Sequence, residues 1–145
     1  MTHEDAGHYR LKHPSGTKLN PKIAEAINRK AVNNRISCAS AHEIAAELDI
    51  IPADVGVGLD LLETRIINCQ LGLFGHSPEK KAVKSSESVS PELEKAIHKS
   101  LADNRISCLS CWKIAERFGL ARMDVSAACE ALRVKVSSCQ LGAFR

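Results

Sequence analysis

Six cysteines are the residues of this chain best suited by type and spacing to metal or thiol chemistry. Cys38 and Cys69 recur seventy residues later as Cys108 and Cys139. A structural zinc ion needs four ligands, and each of these pairs supplies only two. Reduced cysteine is more often a small buried core residue. We therefore expect these four to be core residues, and keep a redox pair or a shared metal site as alternatives.

The string Cys108-Leu109-Ser110-Cys111 is a CxxC motif, which alone is a weak metal or redox signal. With Trp112 it is similar to a cysteine-protease signature, but it lacks the glycine, and no histidine follows to act as a base. The sequence has no phosphate-cradling glycine loop, nucleophile triad or carboxylate pair. These observations predict a protein that is not an enzyme and binds no cofactor.

The chain carries one sequence pattern twice, and this repeat sets its organisation. Residues 19–75 align without a gap on residues 89–145, with 19 of the 57 positions identical. The strings NRISC and CQLG occur in both copies. Units of this size bury only about 60% of the surface of their unfolded chain. We therefore expect two small, helix-rich domains of the same fold.

Composition changes divide the chain further. Residues 1–18 are polar, with Pro14 and Gly16, and are predicted to be a disordered leader. Residues 76–90 are rich in Ser and Lys and are predicted to be a flexible linker. The folded repeats are then residues 19–75 and 91–145.

Three helices are predicted in each repeat. Asn20 and Ser90 each precede a proline, which is typical of a helix start. In the first repeat, Ser40 and Glu43 fit a capping box at the start of the second helix. Hydrophobic spacing predicts a third helix over residues 53–64 and its counterpart over residues 123–134.

Short extended segments complete the pattern. In the first repeat, residues 35–38 and 65–71 read as strands, with Cys38 and Cys69 facing inward from paired strands, followed by a turn at Gly72. The second repeat has the same pattern. The order of helices and strands resembles the winged helix-turn-helix superfamily in both repeats. This resemblance implies a mainly α fold with short β hairpins, arranged as two tandem winged-helix-like three-helix domains, although the wing is very short.

The resemblance implies binding of duplex DNA, with the third helix in the major groove. The charge is uneven: residues 19–75 carry five basic and seven acidic side chains, and residues 91–145 carry nine and six. A polyanion therefore favours the second repeat. In the first repeat, Arg35 and Arg65 are expected to contribute, unless this repeat serves a protein contact instead. The predicted DNA-binding residues are Arg35, Arg105, Lys113, Arg117, Arg122, Arg133 and Lys135.

Two other functions remain open. The acidic helix over residues 53–64 is suited to a protein partner, which would make the chain a protein-interaction module. The cysteines would suit a thiol- or metal-responsive sensor. No apolar run is long enough to span a bilayer, and the first ten residues have no signal-peptide core. We therefore expect a cytoplasmic protein without membrane contact.

Overall fold

The structure, a computed structural model, describes residues 8–78 and 80–145, which form two compact units. Unit 1 contains the described residues up to Cys69 together with residues 140–144. Unit 2 contains residues 70–139 and Arg145. Each unit therefore includes the three helices of one repeat. It also includes the segment that follows the last cysteine of the other repeat.

The elements occur in the same order in both units. Unit 1 contains a 3-10 helix at Tyr9–Lys12, then α1 (Pro21–Lys30), β1 (Arg35–Ser37), α2 (Cys38–Leu48), α3 (Pro52–Leu61) and β2 (Arg65–Ile67). Unit 2 contains α4 (Pro91–Lys99), β3 (Arg105–Ser107), α5 (Cys108–Phe118), α6 (Arg122–Ala131) and β4 (Lys135–Ser137). The described residues are thus mainly helical, as predicted.

The first helix of each unit starts where the sequence predicts. The Asn20 side-chain oxygen accepts a hydrogen bond from the Lys22 amide at 2.9 Å, before Pro21. Ser90 Oγ accepts one from the Leu93 amide at 3.2 Å. These caps satisfy amide groups that lack a partner within the helix.

The second helix starts earlier than predicted. Ser37, not Ser40, is the N-cap of α2, because Ser37 is extended and its Oγ accepts from the Ser40 amide at 3.0 Å. Cys38 is consequently the first residue of α2 and does not lie in a strand. Ser107 caps α5 in the same way.

The third helix is shorter than predicted because a left-handed residue ends it. Glu63 has φ 53° and Arg133 has φ 58°. The Thr64 amide donates to the Leu59 carbonyl at 2.8 Å, and the Val134 amide donates to the Cys129 carbonyl at 2.9 Å. This pattern satisfies the last helical carbonyls and turns the chain toward the next strand.

The predicted β hairpins are wrong. β1 and β2 are parallel, with Arg35 opposite Arg65, and β3 and β4 are parallel, with Arg105 opposite Lys135. A tight turn cannot join parallel strands, which need a longer crossover connection. In each unit two helices form this connection. Each strand is only three residues long.

Each unit has a hydrophobic core contributed by all of its helices. The fully buried residues of unit 1 include Ile27, Ile36, Ile44, Val55, Leu59 and Leu141. Those of unit 2 include Leu71, Ile97, Ile106 and Val125. The hydrophobic positions that recur in both repeats thus form the cores.

Segments predicted to be mobile contain packed residues. Tyr9, in the predicted leader, is only 2% exposed. The first seven residues of that leader lie outside the described residues. In the predicted linker, Val83 is buried and its amide donates to the Gly72 carbonyl at 3.1 Å, while the Ser86 amide donates to the Ala127 carbonyl at 3.1 Å.

Candidate nucleic-acid interface

Two cations face each other at the start of the β3–β4 ladder. Arg105 and Lys135 are register partners, and both side chains are exposed. Adjacent strands lie about 4.8 Å apart, and register partners project from the same face of the sheet. Like charges in this arrangement repel each other. The site therefore favours an anion.

Local backbone geometry places Arg105 at the first position of β3. Asp103 and Asn104 have φ values of 52° and 61°, which form a tight left-handed turn after α4. Ala102 and Arg105 close this turn with two backbone hydrogen bonds, at 2.8 and 3.0 Å. Asn and Asp tolerate this conformation better than most residues, so the Asp-Asn-Arg order positions the arginine.

Arg133 adds a third exposed cation two residues before Lys135. We call Arg105, Arg133 and Lys135 the cationic edge. Within the described residues, none of the three forms an ion pair with a carboxylate. The positive charge of the cationic edge is therefore available to a ligand.

The corresponding position in unit 1 has a different charge pattern. Arg35 faces Arg65 across β1 and β2, but Glu63 occupies the position equivalent to Arg133. The Glu63 carboxylate accepts hydrogen bonds from the amides of Tyr9 and Arg10, at 3.0 and 2.9 Å. The structure therefore brings Arg35 and Arg65 together, in less basic surroundings than those of the cationic edge.

Two other predicted contacts lie on α5. Lys113 and Arg117 are both exposed, and their spacing of four residues places them on one helix face. The Arg117 guanidinium carbon lies 5.5 Å from the ring centre of Phe118. These two residues form a second basic row, on a different element from the ladder.

Arg122 makes contacts inside unit 2. Its guanidinium carbon lies 3.5 Å from the ring centre of Trp112, and the group donates a hydrogen bond to the side-chain oxygen of Gln70. Arg122 therefore links the start of α6 to α5 and to the segment after Cys69. In repeat 1, His42 and Pro52 occupy the positions of Trp112 and Arg122. This paired change between the repeats is the sequence signal that could have identified the contact.

The helix predicted to enter the DNA groove is largely buried in unit 1. Six of the ten residues of α3 are buried, and four residues of α6 are buried. Asp60 is only 2% exposed. Of the acidic residues proposed for a protein partner, Asp54 remains exposed, while Asp60 and Glu63 bind the leader.

The four recurring cysteines do not lie on strands as predicted: Cys38 and Cys108 are the first residues of α2 and α5, and Cys69 and Cys139 follow the ends of β2 and β4. All six lie in the described part of the chain and none forms a disulfide; Cys139 is half-buried and the other five are buried. Among residues 8–78 and 80–145, no group of three or more His, Cys, Asp or Glu side chains is arranged to hold a metal ion.

A different thiol pair lies between α5 and α6. Cys111 and Cys129 are hydrogen-bonded through their side chains, and both are almost fully buried. The hydrogen bond from Cys111 lowers the pKa of Cys129. The same hydrogen bond, together with burial, raises the pKa of Cys111. The equivalent residues of repeat 1 are Ala41 and Leu59, so only unit 2 contains this pair.

Over the described part of the chain, no helix combines the length and apolar character needed to cross a membrane. Comparisons with protein-family models, with curated proteins and with solved structures find no match to this chain.

Proposed function

We propose that this protein is a non-enzymatic, DNA-binding regulatory protein whose second unit makes most of the phosphate contacts. The observation that carries the proposal is the register pairing of Arg105 with Lys135 at the exposed start of a parallel ladder. Like charges that face each other on neighbouring strands are destabilising. A phosphate bound between them removes that repulsion and releases counterions from the DNA.

The distribution of charge also favours unit 2 as the main DNA contact. Residues 91–145 carry nine basic and six acidic side chains, whereas residues 19–75 carry five and seven. In this proposal the cationic edge is the main contact, and Lys113 and Arg117 on α5 form a second row. Arg35 and Arg65 offer a weaker site in unit 1. Arg122 acts as a positioning residue.

The relation to winged-helix proteins belongs to this proposal. The three helices of each unit would correspond to the helical part of a winged-helix domain, with α5 and α6 joined by a short turn at Gly119. The parallel ladder would stand where the wing begins. In this proposal the main DNA contact is made by the ladder and not by helices α3 and α6, because several residues of these helices lie in the cores.

The test is binding of a fluorescein-labelled 30-base-pair duplex, followed by anisotropy across a range of salt concentrations. The variant Arg105→Glu/Lys135→Glu should weaken binding at least tenfold. It should also reduce the dependence of log K on log salt by about 0.9 for each lost phosphate contact. Circular dichroism establishes that the variant remains folded.

The matched control is Lys95→Glu/Lys99→Glu. These lysines lie on α4 of the same unit, are exposed and undergo the same change of charge. The control should stay within about threefold of the original affinity. Equal losses in the two variants would show only a general effect of net charge. Absence of salt-dependent binding by the unmodified protein would refute the proposal.

A further inference from the structure

Residues 9–13 of the leader are held against the end of α3 by charged groups. The Tyr9 amide donates to Glu63 Oε2 at 3.0 Å, and the Arg10 amide donates to Glu63 Oε1 at 2.9 Å. One carboxylate thus binds two successive backbone amides. Hydrogen bonds to an ionised acceptor are stronger than neutral ones.

Asp60, one turn earlier, binds the other end of the same segment. Lys12 Nζ lies 3.2 Å from Asp60 Oδ2, and His13 Nε2 lies 2.7 Å from the same oxygen. Asp60 is 2% exposed, and its other oxygen, Oδ1, is buried without a hydrogen-bond partner among the described residues. A buried carboxylate is costly unless a cation compensates it. The basic side chains of the leader therefore compensate the buried Asp60 carboxylate.

The leader has the features of a bound peptide more than those of a core element. Tyr9 is buried, but Leu11 is 80% exposed, so only one side of the segment packs. A Cβ atom at Gly16 would meet no atom within 4 Å, which shows that the connection to α1 is open. Residues 14–16 and Lys18, which connect this segment to α1, are exposed.

We propose that Asp60 and Glu63 form a binding site for basic peptide segments that contain an aromatic residue. The chain's own residues 9–13 occupy this site in cis. Tyr9 provides the anchor, its amide and that of Arg10 bind Glu63, and the side chains of Lys12 and His13 bind Asp60. The proposal concerns unit 1 and does not depend on DNA binding by unit 2.

Only unit 1 carries this combination of carboxylates. In unit 2 the equivalents of Asp60 and Glu63 are Glu130 and Arg133. Glu130 pairs with Lys81 at 2.6 Å, but Arg133 cannot accept hydrogen bonds from backbone amides. The site is thus a difference between two otherwise similar units.

The experiment uses the full chain and a fluorescein-labelled peptide of residues 8–18. The variant Tyr9→Ala/Lys12→Glu weakens the leader in cis, so it should bind the peptide at least tenfold more tightly than the unmodified chain. Adding Glu63→Gln should reverse this gain, because an amide cannot accept from both backbone groups. Adding Glu25→Gln instead, an equal loss of charge on the exposed face of α1, should leave binding unchanged. A peptide in which Ala replaces Tyr9 should bind weakly.

Hydrogen exchange on the unmodified chain provides a second measurement that needs no variant. The amides of Tyr9 and Arg10 should exchange much faster than core amides of α1 and α3, since the leader opens without global unfolding. Equal protection of leader and core amides would overturn the proposal. So would failure of the peptide to bind the folded Tyr9→Ala/Lys12→Glu chain.

Discussion

Gly58 on α3 lies so close to Ile23 on α1 that a Cβ atom at Gly58 would be 2.6 Å from the Ile23 Cγ2 methyl group. In unit 2 the equivalent residues are Ala128 and Leu93. Leucine has no methyl group on Cβ, so a leucine at position 23 would lack the methyl group that a Cβ atom at Gly58 meets. The close contact between α1 and α3 thus depends on the absence of a side chain at Gly58.

Gly58→Ala should therefore destabilise the protein even though alanine favours the helix by about 0.5–1 kcal/mol. Overpacking a core typically costs about 1–3 kcal/mol, and Ile23 is β-branched and cannot easily move its methyl group. The double variant Ile23→Leu/Gly58→Ala should recover most of the loss. Urea denaturation measures both, with Ile23→Leu alone as the control. An increase in stability for Gly58→Ala would show that α1 and α3 are not this close.

Gly56→Ala should have a larger effect than Gly58→Ala. A Cβ atom at Gly56 would lie 1.8 Å from the backbone carbonyl oxygen of Leu141, and a backbone group cannot rotate away as a side chain can. We expect a loss of at least about 3 kcal/mol, the upper end of overpacking costs, with residues 140–144 displaced from unit 1. Faster amide exchange at Leu141 would report the displacement. Unchanged exchange and unchanged stability would contradict this prediction.

Arg122→Ala should lower stability by about 1–2 kcal/mol, because it removes a cation–π contact and a hydrogen bond. Trp112 is the only tryptophan, so its fluorescence emission should change as well. Arg122→Lys keeps the charge but loses the planar stacking, and should change the emission in the same direction. DNA affinity should fall less than threefold in both. A tenfold loss of affinity with unchanged emission would make Arg122 a phosphate contact instead.

Cys111→Ala should make Cys129 less reactive at a given pH. The Cys111 thiol donates a hydrogen bond that lowers the pKa of Cys129. Without this donor, that pKa rises, the thiolate fraction near pH 8 falls, and the pH–rate profile for alkylation of Cys129 moves to higher pH. Iodoacetamide labelling with peptide mass spectrometry measures the rate. Cys139, which is half-buried, serves as the internal control. A profile that moves to lower pH would exclude Cys111 as the donor.

The sequence predicts the helices well where the signal is local. The Asn20 and Ser90 caps follow from residue type and from the proline that comes directly after each of them. The start of α2 is less clear in the sequence, because Ser37 and Ser40 are both good caps and only the extended backbone of Ser37 selects it. The parallel direction of the strands depends on the path of the intervening helices, which short strands do not encode.

The sequence predicts which residues form the candidate site but not how they are arranged. The sequence identifies Arg105, Arg133 and Lys135 as basic, and the register of β3 and β4 shows that Arg105 lies opposite Lys135. The covering of Asp60 by the leader is missed because polar tails usually remain solvated.

The sequence does not indicate that the segment after the last cysteine of each repeat joins the helices of the other repeat. The QLG string is identical in both copies, so nothing in it indicates which set of helices it joins.

That exchange has a consequence for biosynthesis. On the ribosome, α1, α2 and α3 emerge early, but the residues that complete their unit, 140–144, are made only after residues 70–139. The part of unit 1 beside Gly56 that packs against Leu141 is therefore exposed during most of translation. The nascent chain should gain full protease resistance in one late step, and premature termination after Cys139 should leave unit 1 as the more vulnerable product.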